Sequence, residues 1–478
     1  MVVGVEFNKY KSKMYISYIN KNKEIDFIIK NIPSSDLYNY EYCEENTGLK
    51  SWDNKNVRKK PTEYLGRFRQ EEFLYNNLTL DEKNKMSEFN TPKKYYCDIE
   101  TETGENNEFP EPSEAKYQVL LISVVNESNI AYILSCREDL RSQEQDMENE
   151  MNTYLKKSNP NLKTYTLKYL WFKTEIEMLE YFFHKFLPKI PLLTGWNFLN
   201  FDWQYLMKRC ENLKINPTKN IATNKRVTKY LVPAHTAVID YLELFRSRSP
   251  LKIVENYTLD YISKEVLGVK KFKNDNENIL EMYKTNYRKF AIYNAIDSIL
   301  VKEIEDSKFL LDVVFEMVNL SICDINKYNS PVFISEILIF RKYIEQNLKV
   351  PEKTEEEKQL IYNSKYQKNE GGPKYEGAFV KEPIPGYYKT VVCQDFSSLY
   401  PNIICSNNIS PDTYLGKGLN LSIEELIDRK ICKTAFDTYF RMDIDSVSRK
   451  ILNYFYNERL ENKALRKALS DRLNELDK

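Results

Sequence analysis

Hydrophobic and polar positions follow two rhythms that exchange places along the chain. Up to about Asn90, short runs such as MYISYI and IDFIIKNI alternate as strands do. They give way to the charged, aromatic-spotted stretch SWDNKNVRKKPTEYLGRFRQEEFLYNN. From Tyr95 three compact runs, KKYYCDIET, YQVLLISVV and IAYILSC, have the length and the β-branched and aromatic content of buried strands. EIEMLEYFFHKFLPKI carries the helical period, LLTGWNF predicts another strand, and FDWQYLMKRCENL and TNYRKFAIYNAIDSILVKEIEDSKFLLDVVFEMVNL predict helices. The charged, Gly-containing stretch EKTEEEKQLIYNSKYQKNEGGPKYEG predicts a boundary. After it, GAFVKEPIPGYYKTVVCQDFSSLY predicts paired strands, and the last thirty or so residues predict one helix. The layout is α/β without an internal repeat.

At 478 residues the chain exceeds what one hydrophobic core supports, so about two to four domains are expected. Hydrophobic residues at 42% and aromatics at 13% exclude a largely disordered chain. Basic and acidic residues balance at 70 each, so net charge neither demands nor forbids a polyanionic partner. The eight cysteines have no close pair, which fits a reducing compartment better than a zinc site or a disulfide framework. With two histidines, His184 and His235, histidine-based catalysis is disfavoured. No signal-peptide layout and no apolar run of membrane-spanning length is found, so no membrane partner is expected.

Four carboxylates stand where hydrolytic chemistry would use them. Asp98 and Glu100 are two apart on a predicted strand and project from one face. Side by side they repel unless a cation lies between them, which suits a divalent metal. Taken alone, the pair is better accounted for by a solvent-facing strand edge. Asp202 follows an apolar strand at the start of a helix, where a capping role is the plain alternative. Tyr293 and Asp297 are four apart on one helical face, as a buried ring beside an ion-paired carboxylate would also be.

Taken in order, these elements resemble the three exonuclease motifs of family B DNA polymerases. FPEPSEAKY, LTGWNFLNFD, IDYLELF and YRKFAIYNAID are similar to the corresponding stretches in T-even-type phages. The resemblance implies a ribonuclease H-like 3′-to-5′ exonuclease domain that hydrolyses phosphodiesters with two Mg²⁺ or Mn²⁺ ions per site. It assigns Asp98, Glu100, Asp202 and Asp297 to the metals and Tyr293 to orienting the attacking water. Asn197 becomes either a contact to the DNA strand end or a strand-end amide bonded to backbone.

VVCQDFSSLYPNII resembles motif A of the same family's polymerase site. By that resemblance Asp395 is a polymerase metal ligand, and the backbone N–H groups of Phe396, Ser397, Ser398 and Leu399 meet the triphosphate. Tyr400 would lie under the incoming sugar and exclude a 2′-hydroxyl. KYEGAFVKEP resembles a loop that contacts template phosphates through Tyr375 and Gly377, although Ala378 stands where many relatives carry Gly. Arg459 and Lys463, at i and i+4 in the last helix, resemble the fingers residues that grip the nucleotide, although exposed helices commonly carry such a basic pair. An Asn-Ser-x-Tyr-Gly segment and an Asp-Thr-Asp-Ser hairpin are absent, and Asp443-Ile444-Asp445-Ser446 comes too early to replace the latter.

The expectation is therefore an α/β multidomain chain: an N-terminal domain over 1–94 to which 325–365 return, an exonuclease domain over 95–324, a partial palm with motif A over 366–445, and the first fingers helix over 446–478. The function it implies is the N-terminal subunit of a split DNA polymerase. Such a subunit acts on primer-template and single-stranded DNA in the cytoplasm, that of the host cell if the protein is phage-encoded. A C-terminal chain would supply the rest of the fingers, palm and thumb and any sliding-clamp contact. Truncation, a free-standing single-strand exonuclease, and a nucleic-acid-binding regulator with a vestigial palm remain open alternatives.

Overall fold

The computed structural model describes the chain except residues 9–12, 63–64, 88–89, 105–107, 109, 218–223, 228–229, 234, 250–254, 270–278, 329, 353–380, 397 and 477–478. The candidate residues Tyr375, Gly377 and Ser397 lie outside the described residues. The chain divides into two compact units, Met1–Ile32 with Asn77–Ser335, and Pro33–Asn76 with Glu336–Lys478.

The first unit contains a three-stranded antiparallel sheet of β1 (Val2–Asn8), β2 (Lys13–Ile19) and β3 (Ile25–Asn31). Its larger sheet has six strands: β4 (Lys94–Thr101), β5 (Val119–Asn126), β6 (Ile130–Ser135), β7 (Thr166–Trp171), β8 (Leu192–Gly195) and β9 (Ala237–Asp240). In space the order is β9-β8-β4-β5-β6-β7. Strands β4, β5 and β6 run antiparallel in sequence, while β7, β8 and β9 join by parallel pairing.

Helices cover both faces of this sheet. The helix α1 (Asp202–Asn212) buries Trp203, Leu206 and Cys210 in one core with Cys97, Ile99, Ile122 and Val124. The alternate residues of β4, Asp98 and Glu100, therefore face the other way, toward the long helix α3 (Tyr287–Lys308). Between them in sequence, α2 (Tyr241–Arg248) is capped by Asp240, whose Oδ1 accepts from Glu243 N–H at 3.2 Å. The last residue of β8 is Gly195, where a Cβ would sit 2.2 Å from the carbonyl oxygen of Cys97.

Unlike an ordinary surface helix, α3 is buried almost throughout, including charged residues in its second half. Glu305 is one of them. It accepts from Lys94 Nζ at 3.0 Å, from the Tyr241 hydroxyl at 3.0 Å, and from Leu311 N–H at 3.1 Å. Burial alone would lower the Lys94 pKa, yet Glu305 and Asp312 hold it above the usual lysine value. The start of β4 is thereby tied to the end of α3.

In the second unit, Pro33–Asn76 and the chain after Glu336 pack together. Phe68, in helix Arg67–Asn77, meets Phe340, in helix Pro331–Glu345, with ring centroids 5.1 Å apart. Lys349 Nζ donates to Glu72 at 2.7 Å, and Glu352 N–H donates to the Tyr40 carbonyl at 2.9 Å. Further on come α4 (Leu399–Ser406), a small sheet of β10 (Tyr414–Lys417), β11 (Ile431–Lys433) and β12 (Thr438–Arg441), and α5 (Val447–Leu476).

The paired strands expected around VVCQDF do not form. Among the described residues, 381–396 belong to no sheet and are exposed throughout, with Tyr387 92% accessible. Strand-forming side chains do not hold a strand without a neighbour to take its backbone N–H and C=O groups.

The buried ion pair makes a stability prediction. Lys94→Ala leaves Glu305 buried without its cation and should lower unfolding stability by about 3 kcal/mol in a urea titration. Lys85→Ala, which removes an exposed surface pair with Asp81, should leave the midpoint where it was. Equal small effects would contradict the account of Glu305.

Candidate functional site

The carboxylates predicted from sequence lie at the end of β4 where β8 diverges from it. Asp98 and Glu100 are half-buried on the face that α3 covers. Asn294 of α3 donates through Nδ2 to Asp98 Oδ2 at 2.7 Å. Asn294 is itself fully buried, and its carbonyl lies 3.0 Å from Ser123 Oγ on β5, directly across from Asp98. Ser123 Oγ is also 2.7 Å from Ser298 Oγ, one turn further along α3. These contacts hold the helix and both strands in one register.

Asp202, the first residue of α1, is 4% exposed. Its Oδ1 accepts from Ile99 N–H at 3.0 Å, so it does not act as a simple cap. Burial first, and then the neighbouring Asp98 charge, push the Asp202 pKa well above the usual carboxylate range. Asp240 supports the turn before α1 by accepting from Leu199 N–H at 3.0 Å. Its own pKa is raised by burial.

Asp297 and Tyr293 are buried on α3, flanking Asn294 in the same turn. Burial raises the Tyr154 pKa, and the charges of Asp260 and then Asp297 add to it. The structure thus joins Asp98 to Asp202 and carries Glu100 on the same strand face. Asp297 stands one helical turn from the Asn294 that binds Asp98. Among the described residues, no three His, Cys, Asp or Glu side chains approach closely enough to share an ion. The donor set nevertheless fits a divalent cation: hard carboxylate oxygens, with the Asp98 charge acting on the buried Asp202.

Asn197 occupies the left-handed region, φ +60°, and its carbonyl accepts from Asn200 N–H and Phe201 N–H at 3.1 Å each. Its backbone thus serves the turn that delivers Asp202, as Asn tolerates that conformation well, while its side-chain Oδ1 accepts from Asn200 Nδ2 at 3.3 Å. Sequence reasoning missed Asn294 and Ser123. Their signal was present, since each is a polar residue inside an apolar run and a buried polar group needs a partner.

In the second unit, α5 lies antiparallel to α4. Arg449 Nε donates to the Cys405 carbonyl at 2.8 Å near one end, and Arg459 Nη1 donates to Ser398 Oγ at 3.2 Å at the other. Ser398, φ +52°, opens α4. The root of α5 is fixed by Asp412, which is buried and accepts from Val447 N–H at 3.2 Å. Asp395, Phe396 and Tyr400 are exposed, Leu399 partly so, and Lys463 lies on the exposed surface of α5. Asp443 and Asp445 pair with Arg441 and Arg449, an approach to the helix as their sequence context predicts.

Two family profiles match this chain. The one described as DNA polymerase family B, exonuclease domain, matches residues 27–262, and that of DNA polymerase family B matches residues 333–476. The chain belongs to the family B DNA polymerases. It is similar to the DNA-directed DNA polymerase of Escherichia phage RB69, with 27% identity over 80% of this chain and 43% of that protein. It also resembles the DNA-directed DNA polymerase of Enterobacteria phage T4, 25% identical over 52% of this chain and 27% of the other. The DNA polymerase of Thermococcus hydrothermalis is 27% identical over 63% of this chain and 17% of its own length. The chain therefore spans less than half the length of each of these relatives.

Asp202→Asn keeps the acceptor for Ile99 N–H and removes a buried charge beside Asp98. In EDTA it should stabilise the protein by about 1–3 kcal/mol at neutral pH. A carboxyl whose folded pKa is raised weakens the fold as pH rises from the unfolded value toward the folded one. The advantage should therefore vanish below about pH 4 and open above it. Denaturant midpoints of both proteins across pH would check this, and a constant gap would refute the burial argument.

Proposed function

We propose that the unit built on the six-stranded sheet hydrolyses DNA strands from the 3′ end and that this activity proofreads synthesis. The observation that carries the reading is the buried Asp202 carboxyl, held on Ile99 N–H beside the half-buried Asp98. In this reading Asp98, Glu100, Asp202 and Asp297 hold two divalent ions, Mg²⁺ or Mn²⁺. Bound there, the ions would lower the pKa of a water and stabilise the leaving 3′-oxygen. Asn294 keeps Asp98 in one orientation. Tyr293 orients the attacking water through a hydroxyl that both donates and accepts. Asn197 contacts the strand end from the turn before α1. Incubation with Mg²⁺ and a 5′-labelled single strand should give a ladder shortened from the 3′ end. Asp98→Ala and Glu100→Ala should each slow it on the order of 100-fold or more. Undiminished digestion by both variants would end the proposal.

The same proposal extends to synthesis. Asp395 serves as a polymerase metal ligand, the N–H groups of Phe396 through Leu399 receive the triphosphate, Tyr400 excludes ribose, and Arg459 and Lys463 grip phosphates. Tyr375 and Gly377 meet the template. The supporting observation is that Arg459 reaches Ser398, at the turn following Asp395. Nucleotidyl transfer by two metals needs a further palm carboxylate. The proposal assigns it to a second polypeptide carrying the remaining fingers, palm and thumb, with any clamp contact running through that chain. An exposed stripe on α5, Leu460, Leu465, Leu469 and Leu473, is a surface such a chain could cover. Mixing the two chains should produce primer extension that Asp395→Ala abolishes. Exposure of Asp395 in an irregular segment favours a second reading, a free-standing exonuclease with a vestigial palm. That reading is upheld if mixing yields neither association nor extension.

A further inference from the structure

The first unit contains a cavity of about 340 Å³ away from the carboxylates, between the ends of β5 and β6 and the start of α3. Gln118, Cys136, Arg137, Tyr283, Lys284 and Tyr287 line it, together with Leu120. The lining carries two cations and no carboxylate. Arg137 stacks on the Tyr287 ring at 4.5 Å and is held there by Asp139, which accepts from its Nε and Nη2 at 2.8 and 2.9 Å. That clamp orients the guanidinium but offsets part of its charge. Lys284 forms no ion pair among the described residues, and its Nζ lies 5.2 Å from the centroid of the Tyr283 ring. The hydroxyl of Tyr283 is buried and has no hydrogen-bond partner among the described residues.

We propose that this cavity is a phosphate pocket that receives a phosphate group of DNA. A lysine, an arginine, two tyrosines and a glutamine line it, residue types whose donors phosphate oxygens accept from. The volume is at the lower end of ligand sites and suits one nucleotide unit. Its position connects it with the strand-end reading, on which this part of the proposal rests. The Tyr287 hydroxyl donates to the Leu120 carbonyl at 2.9 Å, and the next residue, Leu121, pairs across with Glu100. Tyr293 is six residues further along α3, about 9 Å of helix. A strand whose end lies at the carboxylates could therefore place a neighbouring phosphate here. The phosphate of a released mononucleotide has the same chemistry.

Cys136 makes the pocket directly readable, since its half-buried thiol lies in the wall. Alkylation of Cys136 is followed by peptide mass spectrometry in EDTA, which silences hydrolysis. The probes are inorganic phosphate, a deoxynucleoside monophosphate and a short oligodeoxythymidylate. At ten times its Kd, a probe that fills the pocket should slow alkylation about tenfold. Protection by the oligonucleotide at the lower concentration identifies the strand as the source, and protection by the monophosphate identifies the product. Lys284→Gln should remove the protection and reduce the salt slope of oligonucleotide binding by about 0.7. Protection should persist in Asp98→Ala, so the pocket can stand even if the exonuclease reading falls. Absence of protection by all three probes, or protection unchanged in Lys284→Gln, would overturn the proposal.

Discussion

A short seam of buried polar contacts fixes the exonuclease unit. Ser123 on β5, Asn294 and Ser298 on α3, and Asp98 on β4 bind one another where the long helix crosses the sheet. Apolar packing alone would let a helix slide or rotate on a strand surface at modest cost. Directional bonds in a site that excludes water do not, because each slip leaves buried donors and acceptors unsatisfied. The far end of the helix is held by a second device, Glu305 with Lys94, so β4 and α3 are joined near both ends. Everything proposed for Tyr293 and Asp297 depends on that registration, since both residues flank Asn294.

The same geometry explains an apparent extravagance. Asp202 is placed in the interior beside another carboxylate, which raises its pKa and works against the fold. A group that destabilises the empty protein but would be relieved by a cation fits a site where stability is given up for binding. The second unit follows a related logic with exposed rather than buried groups. Asp412 and Arg449 root α5 firmly, while its distal leucines and the segment carrying Asp395 face solvent.

Much of this was legible in the residues. The two-residue spacing of Asp98 and Glu100 gave their common face, the apolar run before Asp202 gave a strand leading into a helix, and the last helix could be read from its period. Local pattern could not reveal long-range pairing. Nothing near Lys349 announces that it will meet Glu72, and the expected return of 325–365 to the N-terminal domain named no such pair. Asn294 was overlooked beside the more suggestive Tyr293 and Asp297, although its burial gives it the direct contact to Asp98. Residues 381–396 failed in the other direction: their composition asks for a strand, but strand formation is decided by a neighbour and not by composition.

The central claim is that Asp98 and Asp202 are held together in order to receive a divalent ion. Titrating Mn²⁺ into the protein and following free ion by electron paramagnetic resonance tests it without relying on turnover. The account predicts saturable binding that weakens at least about tenfold in Asp98→Asn. It predicts the same loss in Asp202→Asn, with the fold intact in both. Binding of equal strength in the wild type and both variants, or none in the wild type, would contradict it.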